Sequence, residues 1–300
     1  MPAGGVEFRP HGEMLSYEEI ERFVRAGASL GIGKVRLTGG EPLVRKGIVR
    51  LVQMLVAVPG IDEVAMTTNG ILLDQFAEPL KAAGLGRLNI SLDTLDREKF
   101  VQIARHDELG RVLGGIAAVR AAGFENIKLN TLAIRGVTED DVVPLARYAL
   151  EHGHELRFIE FMPADGDQQW QPERVLPGEE ILEILAREIG PLEPISQDGS
   201  HAPATTYRFA DGGGRIGVIP SVSEPFCKRC DRLRLTADGN LHNCLFSAQK
   251  WDARSLLRSG AAEGALAELI RAAVRDKHEA RGNDDGELSR CGRPMHQIGG

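Results

Sequence analysis

No apolar run long enough to cross a membrane occurs in these 300 residues; the longest, Leu51 to Val58, is broken at Gln53. The N-terminus, Met1-Pro2-Ala3-Gly4-Gly5, lacks the basic and apolar parts of a secretory signal. Positive charge is not in excess either: 36 Lys and Arg face 43 Asp and Glu, a net charge of −7. That balance argues against nucleic acid as a partner, while leaving room for a local basic pocket. Cysteine is scarce. Four residues build no disulfide framework, so the expected compartment is a reducing cytoplasm, where clustered cysteines signal metal. With 42% hydrophobic and 26% charged residues, the composition is that of a folded soluble chain of one large domain or two unequal ones.

What is present is a rhythm. Lys34–Thr38, Glu63–Thr68, Arg87–Leu92, Asn126–Ile134 and Leu156–Met162 read as strands separated by amphipathic stretches, the pattern of βα units and a parallel sheet. Ser16 and Glu19 form a capping box ahead of Ile20, Phe23, Val24, Gly27 and Ala28, and Ile48, Leu51, Val52 and Leu55 repeat the helical spacing. Alternation puts Arg36 with Thr38, Asn89 with Ser91, Lys128 with Asn130 and Glu160 with Met162 on one strand face, with apolar residues on the other. A sheet wrapped by helices on both sides needs two apolar faces. One polar face predicts a barrel with a partly open lumen and a site at its C-terminal strand ends. Beyond Met162 the rhythm stops. Glu179–Ile189 reads as a helix, and Tyr207–Ala210 with Arg215–Ile219 as a hairpin across Asp211-Gly212-Gly213-Gly214. The expected division is a barrel over residues 1–190 and an α+β extension over 191–300.

Three features carry chemistry. Cys227-x2-Cys230-x13-Cys244 lets two thiolates face one centre while a turn at Asp238-Gly239 returns the third. Three cysteines suit an iron–sulfur cluster with one open iron; with His242 or Cys291 they suit a four-ligand zinc site, and spacing does not choose between them. Arg232 and Arg234 follow at once, guanidinium forks fit for a phosphate or a purine edge. Thr38-Gly39-Gly40-Glu41-Pro42 ends the first strand, where glycines admit a ligand close to the backbone and Glu41 can receive an ammonium. Lys128, within a strand, calls for an anionic partner.

Taken in order along the chain, these segments resemble one family, the GTP 3′,8-cyclases, radical S-adenosylmethionine enzymes of molybdenum cofactor biosynthesis. The resemblance rests on Lys34 to Pro42, Thr67-Thr68-Asn69-Gly70, Leu88 to Asp93, Arg157 to Met162, Phe226-Cys227 through Cys230-Asp231-Arg232-Leu233-Arg234, Cys244, and the terminal Ile298-Gly299-Gly300. It implies a partial (β/α)6 TIM-like barrel with an α+β extension, and conversion of GTP to (8S)-3′,8-cyclo-7,8-dihydroguanosine 5′-triphosphate. It also implies that Cys227, Cys230 and Cys244 ligate a C-terminal [4Fe–4S] cluster. Arg36, Thr67, Lys128, Arg232 and Arg234 then fall at GTP-contacting positions. Gly40, Ser91 and Met162 fall where S-adenosylmethionine is held, and Gly299 and Gly300 form a tail reaching the active site. Cys291 matches no ligand of the family. Further implied partners are an electron-donating reductase, cyclic pyranopterin monophosphate synthase downstream, and a second copy of the chain as a homodimer.

One departure stands out. The family holds a second [4Fe–4S] cluster on an N-terminal Cys-x3-Cys-x2-Cys motif, and no such motif lies in these residues. In the family register Met1 falls just after it, so the first barrel strand is expected to be missing. A late start assignment, a fragment or a decayed paralogue would each account for this. The sequence as it stands is expected not to cleave S-adenosylmethionine reductively. The rival readings are a catalytically inactive GTP-binding protein with a single C-terminal cluster, and a structural zinc protein.

Overall fold

The computed structural model describes residues 10–164, 169–195 and 202–277. Five strands, β1 (Lys34–Leu37), β2 (Glu63–Thr68), β3 (Arg87–Ser91), β4 (Ile127–Ala133) and β5 (Glu155–Glu160), pair in sequence order, all parallel. Beyond β5 the chain makes a short antiparallel run, β6 (Leu192–Pro194) on β7 (Thr205–Phe209), and β7 pairs with β8 (Arg215–Ile219). Strand β8 returns parallel to β5, which completes six parallel strands in an eight-stranded sheet of order β1-β2-β3-β4-β5-β8-β7-β6. The expected partial α/β barrel is borne out, and the expected hairpin is the β7–β8 pair.

The helices lie where the periodicity puts them: α1 (Tyr17–Ala28), α2 (Ile48–Val56), α3 (Leu73–Ala82), α4 (Arg97–Ala104), α5 (Leu109–Ala121), α6 (Val142–His152) and α7 (Gly178–Glu188). The capping box forms as read, with Glu19 N–H donating to Ser16 Oγ at 3.1 Å and Ser16 N–H donating to Glu19 Oε2 at 2.7 Å. Each closes a backbone donor that the first helical turn leaves open. Residues Ile48, Leu51, Val52 and Leu55 of α2 are buried in one core with Val64, Met66, Leu88, Ile90, Leu129, Leu156 and Phe158, the helix-facing sides of the strands. Burying side chains of this size is worth roughly 1.5–3 kcal/mol each, so this apolar face anchors the sheet.

A second core joins α1 to the last two described helices. Phe23 and Ala26 of α1 pack on Leu257 of α8 (Ala253–Arg258) and on Leu266 and Ile270 of α9 (Glu263–Arg275). Arg22 donates to Leu257 O at 3.1 Å, Arg254 to Glu13 O at 2.8 Å and Arg258 to Gly12 O at 2.9 Å. Beneath them β9 (Arg234–Leu235), β10 (Asn240–His242) and β11 (Trp251–Asp252) make a small antiparallel sheet.

Strand register confirms a polar inner face and corrects one strand. Following the pairings, Arg36, Ala65 and Arg87 share a row; Thr67, Asn89, Lys128 and Glu155 share the next; Ser91, Asn130, Arg157 and Gly217 share the third. Glu155 and Arg157, not Glu160, are therefore the charged lumenal residues of β5. Glu160 is fully buried on the helix side, where Gly178 N, Val222 N, Ser223 N and Ser223 Oγ donate to its carboxylate at 2.5–2.9 Å. Its charge stabilises the turn after β8 and the start of α7, a role that period-2 reading from Met162 backwards conceals.

Candidate active site

The inner face concentrates positive charge. Lys128 Nζ lies 2.9 and 3.0 Å from the two Glu155 carboxylate oxygens, and Arg157 Nε lies 2.6 Å from Glu155 Oε1. Arg87 pairs with Glu63 at 3.3 Å. Arg36 stands at the edge strand with its surface open to solvent, yet it is crowded on most sides, as a group in a concave cavity is. Desolvation, then the charges of Arg87, Arg157 and Arg232, depress its pKa to about 10, with Glu63 opposing. Burial and the charge of Arg157 likewise hold Lys128 below the ordinary lysine range, against the pull of Glu155. Burial tends to raise Glu155, but Arg157 and Lys128 outweigh it and keep the carboxylate below its usual range. Among the described residues of this network five cations (Arg36, Arg87, Lys128, Arg157 and Arg232) meet two carboxylates (Glu63 and Glu155), an excess of three positive charges. Cations crowded enough to depress one another lower their energy by taking up an anion.

The fold makes room for this charge. A Cβ on Gly217, opposite Arg157, would lie 2.9 Å from Arg157 Cγ, so glycine there lets the guanidinium project into the lumen. Between the cations lie neutral acceptors without a hydrogen-bond partner: Thr67 Oγ1, Asn89 Oδ1 and Asn130 Oδ1, all buried atoms.

At the strand ends Glu41 does not wait for an ammonium. Leu43 N and Thr68 Oγ1 donate to its Oε1 at 2.9 and 2.8 Å, and Asn69 N donates to Oε2 at 2.7 Å, tying the loop after β1 to the loop after β2. Burial raises its pKa, and these bonds resist the rise. Gly40 is exposed nearby, with no atom close to where a Cβ would stand. Ser91 is exposed at the end of β3, and Met162 is half-buried just past β5. Two residues beyond Ser91, Asp93 accepts from Leu132 N at 2.8 Å. Burial, reinforced by the charge of Asp141 and opposed by the Leu132 bond, raises its pKa to about 6.

The cysteines lie on the other side of Arg232. Cys227 sits exposed in a 3-10 turn over Phe226–Arg229, while Cys230 and Cys244 are half-buried. Burial raises the Cys227 thiol, and the charges of Cys244 and Cys230 add to the rise, so the three sulfurs sense one another. Burial opposes ionisation of Cys230, but the charge and hydrogen bonds of Arg232, with help from Lys277, bring its thiol below the ordinary value. Among the described residues no group of three or more His, Cys, Asp or Glu side chains converges on a common metal position. The donor chemistry nonetheless fits a thiolate-ligated cluster: three free thiols at the expected spacing beside a cation that favours the thiolate. Lys277, just past α9, donates to Arg232 O at 2.9 Å and to Asn243 O at 2.5 Å, and so ties the Cys230 arm to the Cys244 arm. Arg232 lies over the Phe226 ring at 4.7 Å, and Arg234 opens β9 opposite His242.

Arg36, Thr67, Lys128 and Arg232 are thus brought to one lumen and its rim. Cys291, Gly299 and Gly300 lie outside the described residues. Arg87 and Arg157 escaped sequence reading, although Glu155-x-Arg157 alternates as a lumenal pair should. Lys277 had no sequence signal, because its role is to hold two backbone carbonyls. No described helix is long and apolar enough to cross a membrane.

Comparison with known proteins places these features. Residues 2–149 match the Radical SAM superfamily model, and residues 154–282 match the model described as Molybdenum Cofactor Synthesis C. The whole chain is 47% identical to 84% of a GTP 3′,8-cyclase from Rhodopirellula baltica. It is 44% identical to 92% of one from Pelotomaculum thermopropionicum, and 45% identical to 86% of one from a Mycobacterium species.

Proposed function

Since this chain belongs to the GTP 3′,8-cyclase family of the radical S-adenosylmethionine superfamily, we propose that it binds GTP in the cationic lumen for conversion to (8S)-3′,8-cyclo-7,8-dihydroguanosine 5′-triphosphate, a step of molybdenum cofactor biosynthesis. The observation that carries this reading is the excess of three positive charges among the described residues of the lumen and its rim. A triphosphate supplies the opposite charge and relieves the crowding that depresses Arg36.

Each part of the site has a task. Arg36, Lys128, Arg157 and Arg232 hold the phosphates; Arg234 extends the rim; Thr67 contacts the nucleotide between them. Gly40, Ser91 and Met162 hold S-adenosylmethionine at the strand ends, beside the loop that Glu41 fixes. Cys227, Cys230 and Cys244 would ligate a [4Fe–4S] cluster, beside the Arg232 guanidinium that favours the Cys230 thiolate. One-electron radical chemistry at the ribose is what S-adenosylmethionine and iron–sulfur clusters supply when bound. The protein's own contribution is to hold ribose C3′ and guanine C8 in one orientation inside a closed strand face. A reductase as electron donor, a downstream cyclic pyranopterin monophosphate synthase and a homodimeric state complete the proposal.

A second reading, GTP binding without cyclisation, rests on the cationic lumen alone, which attracts a triphosphate whether or not turnover follows. The experiment therefore separates binding from turnover. Anaerobically reconstituted protein is titrated with GTP and with guanosine, then incubated with GTP, S-adenosylmethionine and dithionite, and the products are resolved by chromatography. Triphosphate-dependent binding with cyclised product establishes the cyclase. Binding without product establishes the second reading, and equal affinity for guanosine and GTP overturns both.

A further inference from the structure

We propose that Asn89 is a substrate-binding residue that grips a ribose hydroxyl of the nucleotide and sets selectivity for ribonucleotides, an inference that rests on the nucleotide-binding function above. Asn89 lies in the middle of β3 and is 1% exposed, yet its Oδ1 has no hydrogen-bond partner. Leaving a buried amide oxygen unpaired costs about 1–3 kcal/mol, so such an atom marks a place that a ligand completes. Its position says which ligand. Register sets Asn89 directly between Thr67 of β2 and Lys128 of β4, on the same inner face. Thr67 Oγ1 beside it and Asn130 Oδ1 one row on are also unpartnered, so three neutral acceptors run across β2, β3 and β4.

Phosphate oxygens cannot serve the Asn89 and Asn130 amide oxygens, because two acceptors facing each other repel, whereas the Thr67 hydroxyl can pair with either kind of group. Arg87, Lys128 and Arg157 pair with Glu63 and Glu155 and donate nothing to these oxygens. The donors left on a guanine nucleotide are the ribose hydroxyls and the N–H groups of the base. A purine is held by stacking as well as by its edge, and the inner-face positions of β1–β5 and β8 include no aromatic residue. An aromatic ring does lie against the cationic network at Phe226, under Arg232 in the cysteine turn. The base belongs there, and the ribose hydroxyls fall to the acceptor row. With the Asn89 amide as it stands, its Oδ1 is the unpartnered buried atom, and a ribose hydroxyl donates to it.

The test is a binding cycle on the full chain, reconstituted anaerobically: GTP, 2′-deoxy-GTP and 3′-deoxy-GTP are titrated into wild type, Asn89→Ala, Asn89→Ser and Lys128→Ala. The expected result is that wild type prefers GTP over one deoxy analogue by roughly 3- to 10-fold. Asn89→Ala then binds GTP at that analogue's level and no longer tells the two apart, and Asn89→Ser recovers part of the difference. Lys128→Ala weakens all three nucleotides alike. Without nucleotide, Asn89→Ala should melt at the wild-type temperature or above, because an unpaired buried group has been removed; a purely structural asparagine would lower it. Undiminished discrimination in Asn89→Ala overturns the proposal, as does a loss confined to S-adenosylmethionine binding. Failure of wild type to prefer GTP over guanosine defeats the nucleotide-site reading itself, a separate result.

Discussion

The lumen and the cysteine turn lie on either side of Arg232 but are made differently. Lumenal side chains stand on strands whose register leaves each one a single direction, and their charges are set by ion pairs within that scaffold. The cysteine turn has a four-residue 3-10 helix and strands of two and three residues, held by Lys277 and by Asn243, whose Nδ2 donates to Ala273 O at 3.1 Å. Its thiols are brought within electrostatic reach of one another but are not gathered. A rigid sheet can hold like charges together before anything binds; a short turn can offer ligands and let the bound group draw them in. The first region achieves orientation and the second accommodation.

This contrast can be broken from either side. The largest expected effect is on the turn: replacing Cys227, Cys230 and Cys244 with Ala should abolish iron retention at the C-terminal site while leaving the barrel's unfolding free energy nearly unchanged, as iron assay and urea denaturation will show. Next, Glu160→Ala removes the acceptor of four hydrogen bonds from a buried position and should destabilise the barrel by about 3 kcal/mol or more. An unaltered urea midpoint would mean the sheet is not the rigid partner. Arg157→Ala should weaken GTP binding roughly 10-fold by calorimetry, and Arg232→Ala by less, without loss of iron; unchanged affinity in both removes them from the site.

Smaller is the effect of pH at the strand ends. Asp93 has a folded pKa of about 6 against an ordinary 3.8. The neutral form is the one folding prefers, so its contribution is fully present below pH 3.8 and is lost as pH rises through 6. Asp93→Asn should remove that slope and raise stability at pH 7 by about 1–2 kcal/mol, which melts across the pH range will measure. Smallest is Lys277→Met, which should slow cluster loading severalfold and shift its electron paramagnetic signal, with partial recovery in Lys277→Arg; normal loading would show that the turn closes without its clamp.

Much of this was legible in the residues. The strand positions, the capping box and the inward face of Asn89 and Lys128 followed from alternation and helical spacing, because those patterns report burial directly. Glu160 was misassigned because β5 mixes buried charge with apolar residues on both faces: Arg157 is 8% exposed and Glu160 fully buried, so parity counted from the far end lands one residue out. Glu41 suggested a ligand contact because a carboxylate in a glycine turn looks available; only the fold shows its oxygens taken by the next loop. Arg87 and Lys277 were hidden for a different reason. Their roles come from partners 24 and 45 residues away, Glu63 and Arg232, and no local pattern encodes such distances.

The surplus of positive charge in the lumen also couples the protein's folding to its nucleotide. Cations that depress one another strain the empty sheet, and an anion that neutralises them stabilises the folded state by an amount that grows with the logarithm of its concentration. Under the proposed function the barrel's resistance to unfolding and proteolysis should therefore rise with GTP concentration, which limited proteolysis across a GTP series will measure.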